Sequence, residues 1–432
     1  MPRFARHAVC SPLTLASRIG LDVLRDGGNA ADAAIASNLA LAVAYPHMCG
    51  VGGDLLAMVW VDGELAGLNS SGRLPAATPP LAGDVPLRGV GSATVPGAPA
   101  GWTALAQRFG TRSLNDLAQP AIRLAREGVE RSPGLARVTA WSSALLNGEP
   151  EARRIFLADG PLRQPELADT LATLDDFYRG PVARAAPAPF AVADFAAHEA
   201  EWVTPLHASF AGTEVYELPH NSRGHLALEA IRHLEPLDGL GADDPELHAR
   251  LIRSLRAAVF GGDTIYLCVV DGSGMAVSLN QSLFMAFGSG LVVPGTGVLL
   301  HNRGASHTKD SYRAGSRPVH TLAPAMALAE GRPRLVFGTM GGDAQVQIHL
   351  QLLARILVAG QAVDEALAAP RWTFDRTTLL VEDGLTLDPP AGMTAVRLAV
   401  PELAGHAHAI RVHSGELEAG CDPRSDGVAV GD

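Results

Sequence analysis

The chain has 432 residues, 47% of them hydrophobic, with 46 glycines and 30 prolines; it can bury a large core, as one large domain or two to three ordinary ones. A formal net charge of −11, with no run of like charges, leaves no basic surface for nucleic acid, which is therefore not an expected partner. Lys309 is the sole lysine among 34 basic residues and no G-K-[ST] occurs, which nearly removes Schiff-base and Lys-dependent P-loop chemistry.

The N-terminus "MPRFARHAVCSPLTLASRIG" is basic but has no apolar stretch of the kind secretion needs. The most apolar run, Ala33 to Tyr45, is too short for a membrane span. A soluble, cytoplasmic protein with no membrane partner is the expectation. Cys10, Cys49, Cys268 and Cys421 lie far apart and form no C-x-x-C pair. They predict buried reduced thiols, with no metal site and no disulfide framework.

In chain order, "LASRIGLDVLRDGGNAADAAIASNLALAVAYPH" predicts two helices, the first stopped at Gly27-Gly28 and the second capped by Asn29. A hairpin turning at Asp62-Gly63 follows. Helices then dominate: "PAGWTALAQRFG", "SLNDLAQPAIRLAREG", "QPELADTLATLDDF" and "PELHARLIRSLRAAVF". The Pro/Ala-rich stretch from Arg179 to Phe195 reads as a surface loop. The second half is β-rich, with strands expected in "TIYLCVV", "GMAVSLNQS", "SGLVVPG", "TLAPAMALAEG" and "RLVFG". Then "GTMGGDAQVQIHLQLLARILVAG" turns a strand through Gly341-Gly342 into a helix. Nearly continuous apolar strands with helices outside predict an α/β protein layered helix, sheet, sheet, helix.

No G-x-S-x-G elbow, H-E-x-x-H helix or G-x-G-x-x-G loop appears. Among 15 histidines, His406 and His408 read as part of a solvated loop. The informative stretch is "GGDTIYLCVVDGSGMAVSLNQS", in which Gly261-Gly262-Asp263 leads into Thr264 at the mouth of a hairpin. A threonine inside a chain has no obligatory base beside it. Cutting the Asp263–Thr264 bond would give it one, because an α-amine titrates at roughly 7.7–8.0 and suits a general base near neutral pH. The glycine pair is what a strained, self-cleaving bond would need. From local pattern alone, Thr264 reads first as an ordinary β-branched strand opener. In "GTMGGD", the N–H groups of Gly341 and Gly342 stand at a helix start, where they could hold an oxyanion or form a plain strand-to-helix turn.

Taken together and in order, "DGGNAADAAIASNLALAVAYPHMCGVGGD", "GDTIYLCVVDGSGMAVS", "FGSGLVVPGTGVLLHNRG", "SRPVHTLAPAMAL" and "FGTMGGDAQVQ" resemble the γ-glutamyltranspeptidases, over about Ala16 to Trp372. The resemblance is nearest to a cytoplasmic branch that includes oxamate amidohydrolase and acylase-like enzymes. It implies an N-terminal-nucleophile hydrolase with a four-layer αββα sandwich, needing no cofactor and made as a precursor that cleaves itself. The implied segments are 1–263 and 264–432, remaining together as one structural domain and leaving room for a homodimer of processed pairs. By position, Thr264 matches the nucleophile, Ser282 the hydroxyl that assists it, and Gly341 and Gly342 the oxyanion glycines. The substrate shell departs from the family. Ser71, with Arg73 nearby, stands where an arginine is expected, Phe284 replaces an asparagine, Ser306 an aspartate and Arg303 a glutamine, while His320 and Thr321 take the place of a polar pair. Without the aspartate, a zwitterionic glutamyl head loses the partner of its ammonium. Arg303 is suited to a carboxylate, or to a structural ion pair. These departures imply a small carboxylated amide as substrate, with true γ-glutamyl transfer or a non-catalytic relative as the alternatives.

Overall fold

The computed structural model describes residues 3–255, 263–342, 344–375, 377–398 and 404–432. Gly261 and Gly262, and residues 256–260 of the fourth predicted helix, lie outside them. The first two helices, Thr14–Arg25 and Ala30–Ala44, form where the apolar spacing places them. Asn29, in extended conformation, accepts the Asp32 N–H at 3.0 Å while the Asp32 carboxylate accepts the Asn29 N–H at 3.0 Å. Two otherwise unpaired donors are thereby satisfied, and every residue of Ala30–Ala44 is buried. Asn29 also donates to the Phe109 carbonyl at 2.7 Å. Asn29→Ala should therefore lower stability by about 1–2 kcal/mol, read from the midpoint of urea unfolding.

Two seven-stranded sheets lie face to face. The first runs, in spatial order, Val430–Gly431, Ala8–Cys10, Asp263–Val270, Ala276–Phe284, Asp54–Val61, Glu64–Ser70, Glu201–Val203. The second runs Arg3–Phe4, Glu416–Cys421, Ala407–His413, Arg332–Thr339, Ala325–Ala329, Thr213–Glu217, Leu206–Phe210. All neighbouring strands in both are antiparallel. Period-2 alternation sorts the side chains into layers. Leu55, Ala57, Val59, Leu267 and Leu279 pack under the first two helices. Leu56, Met58, Tyr266 and Cys268 instead meet Met326, Val336 and Ile410 between the sheets. Ala327, Leu335, Phe337 and Ala409 pack under the helices Gly224–Arg232, Pro245–Leu255 and Ala344–Leu353. Both faces of both sheets are covered, which is the predicted αββα sandwich.

Three expectations are corrected. The stretch Arg179–Phe195 holds two short helices, Pro181–Ala185 and Val192–Ala196, and buries Val182, Ala183, Phe190 and Phe195. Proline at a first helical position starts a helix as readily as it breaks one. "SGLVVPG" is no strand but a looping segment with one isolated bridge, Val292 to Leu299, bent by positive-φ glycines at Gly290 and Gly295. His406 and His408 are buried; His408 lies on a strand between the sheets, its ring stacked with Tyr266 at 6.3 Å between centroids. The four cysteines are free thiols, three buried and Cys421 half-buried. Among the described residues no helix is long and apolar enough to cross a membrane.

Candidate active site

The Asp263–Val270 and Ala276–Phe284 strands pair regularly as far as Ile265, opposite Gln281, and then slip, so that Asp263 faces Phe284. Ser282 and Leu283 together oppose Thr264, a bulge of the kind that re-aims a side chain. Thr264 is fully buried, and its Oγ1 accepts a hydrogen bond from Gln345 Nε2 at 3.3 Å. Gln345 stands in the first turn of Ala344–Leu353, directly after the glycine turn. Asn280 joins the two sheets here, donating to the Ile265 carbonyl at 3.2 Å and to the Thr339 carbonyl at 3.1 Å. Thr339 ends the strand that leads through Met340 into Gly341 and Gly342. Thr264, Ser282 and the glycine pair thus meet at one end of the layer between the sheets.

Gly341 and Gly342 have φ of +131° and +58°. Among the described residues, neither N–H is taken by an acceptor. They stand at the start of a ten-residue helix, where the dipole favours negative charge.

Beside Ser282 across the sheet, and in register with it, is Asp54, the first residue of its strand and completely buried. Its Oδ1 accepts the Gly72 N–H at 3.1 Å, its Oδ2 faces His320 Nε2 at 3.0 Å, and His301 Nδ1 stands 3.6 Å away. The Leu322 N–H points at His320 Nδ1 from 3.4 Å, so Nδ1 accepts and the Nε2–H donates to Asp54. Burial opposes a charge on Asp54, but the hydrogen bond from His320 and the Arg303 charge favour it, and the carboxyl is held well below the usual range. Burial, and then Arg303, push His320 down to about 3, so it is a neutral donor.

Arg303 is buried on a short turn with its guanidinium 4.1 Å from the centre of the Phe284 ring, and Nη1 donates to Thr321 Oγ1 at 3.2 Å. Phe284 has a φ of +78°, an uncommon and strained conformation for a bulky residue, and its N–H donates to Ser282 Oγ at 2.7 Å. The structure therefore gathers Arg303, His320 and Thr321 around Ser282, Phe284 and Asp54. Ser306 bonds the Arg303 and Val319 carbonyls at 2.9 and 2.8 Å and stitches the turn. Ser71 donates to Asn69 Oδ1 at 2.7 Å. Arg73 is exposed and lines a surface cleft of about 440 Å³ with His198, Glu201 and Arg317. Sequence reasoning missed Asp54, His301, Asn280 and Gln345. For Asp54 and Asn280 the signal was a polar residue on an otherwise apolar strand, as in "DLLAMVWV" and "GMAVSLNQS", and for Gln345 its place in the first helical turn after the glycine pair; His301 carried no such signal.

Comparison with known proteins gives the family. The family model described as gamma-glutamyltranspeptidase matches residues 16–259 and 242–432, reaching past Trp372 to the last residue. The chain is 32% identical to the glutathione hydrolase-like YwrD proenzyme of Bacillus subtilis, over 99% of this chain and 98% of that one. It is also 32% identical to the oxamate amidohydrolase proenzyme of Klebsiella pneumoniae, over 98% and 97%. The crystal structure of cephalosporin acylase from Bacillus halodurans superposes with a TM-score of 0.92 at 29% identity, covering 100% of this chain and 96% of that one. The chain belongs to the γ-glutamyltranspeptidase family and is an amide hydrolase of the N-terminal-nucleophile type.

Proposed function

We propose that this chain is a precursor that cuts itself between Asp263 and Thr264, and that segments 1–263 and 264–432 together hydrolyse amides of small carboxylated acyl groups. The observation that carries the reading is the placing of Thr264, buried at a bulge, hydrogen-bonded by the helix that opens from Gly341-Gly342. In processing, Thr264 Oγ attacks the Asp263 carbonyl and the peptide nitrogen leaves as an amine; water then opens the resulting ester. In turnover, the freed α-amine takes the Oγ proton as Oγ attacks the substrate carbonyl, and gives it to the leaving amine. Gly341 and Gly342 N–H groups hold the tetrahedral oxyanion, Ser282 assists the nucleophile, and water releases the acid from the acyl-enzyme. Arg303, with Thr321, receives the substrate carboxylate. The names of the oxamate amidohydrolase and acylase proenzymes support both the processing and the reaction class.

A second reading, γ-glutamyl transfer, is favoured by the glutathione hydrolase-like relative. Phe284 and Ser306 speak against it, since neither supplies an anion for the glutamyl ammonium. Purified enzyme should hydrolyse oxamate or glutaryl amides at least about tenfold faster, by kcat/KM, than γ-glutamyl-p-nitroanilide. Brisk turnover of the γ-glutamyl donor alone reverses the preference.

A further inference from the structure

We propose that Asp54 is the positioning residue of the acyl pocket: the two oxygens of its carboxylate tie the Ser71–Arg73 segment to the His320–Thr321 segment, which holds Arg303, the residue that receives the substrate carboxylate. The inference rests on the site reading given above and adds the element that fixes its walls.

Oδ1 accepts the Gly72 N–H, and Gly72 lies between Ser71 and Arg73. Oδ2 accepts the His320 N–H, and His320 precedes Thr321, the residue that accepts from Arg303. The strand bearing Asp54 pairs with Ser282. The carboxylate therefore joins the Ser71–Arg73 segment to the His320–Thr321 segment, and the strand that carries it pairs with the strand of the assisting hydroxyl. The approach of Gly72 is built for this: a Cβ there would run into the Val95 carbonyl, so only glycine brings that N–H in. Both hydrogen bonds are charge-assisted and wholly buried, so losing either leaves a buried donor without its acceptor.

An ordinary structural hub would, when damaged, cost all substrates alike. A positioning residue costs those that use the pocket. Asp54→Asn keeps the shape but offers one acceptor oxygen, so an amide N–H must face one of the two donors. In the full chain the two fragments should still form, by intact mass. KM for a glutaryl anilide should then rise at least about tenfold with kcat within about threefold, while KM for an acetyl anilide, which has no carboxylate for Arg303, stays within about twofold. His320→Gln, which can keep a donor near the Nε2 position, should recover most of the KM lost in His320→Ala. If Asp54→Asn does not fold, the two His320 variants carry the test.

An unchanged KM, or an equal fall in kcat on both anilides, overturns the positioning role. Thr264→Ala run alongside keeps the two failures apart. Turnover by that chain sinks the nucleophile assignment, whereas a flat response in Asp54→Asn sinks only the role of Asp54.

Discussion

Thr264→Ala should remain one uncut chain of 432 residues with amide hydrolysis at background, a loss of at least about 10³-fold, while Thr264→Ser should still cleave and turn over. Alanine removes the only atom on this residue that can attack either the Asp263 carbonyl or a substrate. Serine keeps that oxygen and loses a buried methyl, which costs about 1 kcal/mol and frees the χ1 that β-branching holds. Intact mass after incubation checks both. The wild-type fragments, Met1–Asp263 and Thr264–Asp432, should run together under native conditions and separate only in denaturant. The sheets explain why. In the first, Ala8–Cys10 is enclosed between Val430–Gly431 and Asp263–Val270, and Ala276–Phe284 lies against Asp54–Val61. In the second, Glu416–Cys421 pairs with Arg3–Phe4 at one end and Ala325–Ala329 with Thr213–Glu217 at the other. Each segment supplies strands that the other must pair, so neither can close a sheet alone. A wild-type chain that stays whole yet hydrolyses amides would refute the mechanism, and one that stays whole and inert would favour a non-catalytic relative.

The parts of this fold that were legible are those whose cause is local. The Asn29 cap, the Asp62-Gly63 hairpin turn and the Gly341-Gly342 turn each carry their signal within a few residues, and the structure places all three as expected. What was not legible depends on partners distant in the chain. His406 and His408 read locally as a solvated loop, but Ala407–His413 is a strand that the facing sheet covers, so His408 lies against Tyr266 instead of in water. Asp54 is a lone carboxylate at the head of an apolar strand, and its meaning comes only when Ser282, Gly72 and His320 are brought to it by register and sheet packing. Periodicity ranks such a residue as a strand end. Burial with two donors marks it as a hub.

Gly341→Ala should lower kcat by about 10²–10³-fold with KM within a few-fold, while Gly342→Ala should be much milder. The difference comes from backbone conformation. At φ of +131°, Gly341 occupies a region closed to residues with a side chain, whereas Gly342, at +58°, has the φ of the left-handed helical region, which alanine enters for about 1–2 kcal/mol. Crowding is not the cause at Gly341, since the nearest atom to an added Cβ would be Gly405 Cα at 3.4 Å. The alanine must instead rotate the turn, swinging its N–H away from the place where the oxyanion forms and disturbing the first turn of the helix that presents Gln345 to Thr264. Because substrate hydrolysis and self-cleavage both begin with Thr264 Oγ adding to a carbonyl and pass through a tetrahedral oxyanion on that carbonyl's oxygen, Gly341→Ala should slow fragment formation as well. Thermal unfolding of both variants supplies the control: the kcat loss should exceed anything their melting temperatures account for. If Gly341→Ala and Gly342→Ala lose activity equally, and in step with lost stability, the turn is structural and the oxyanion is held elsewhere.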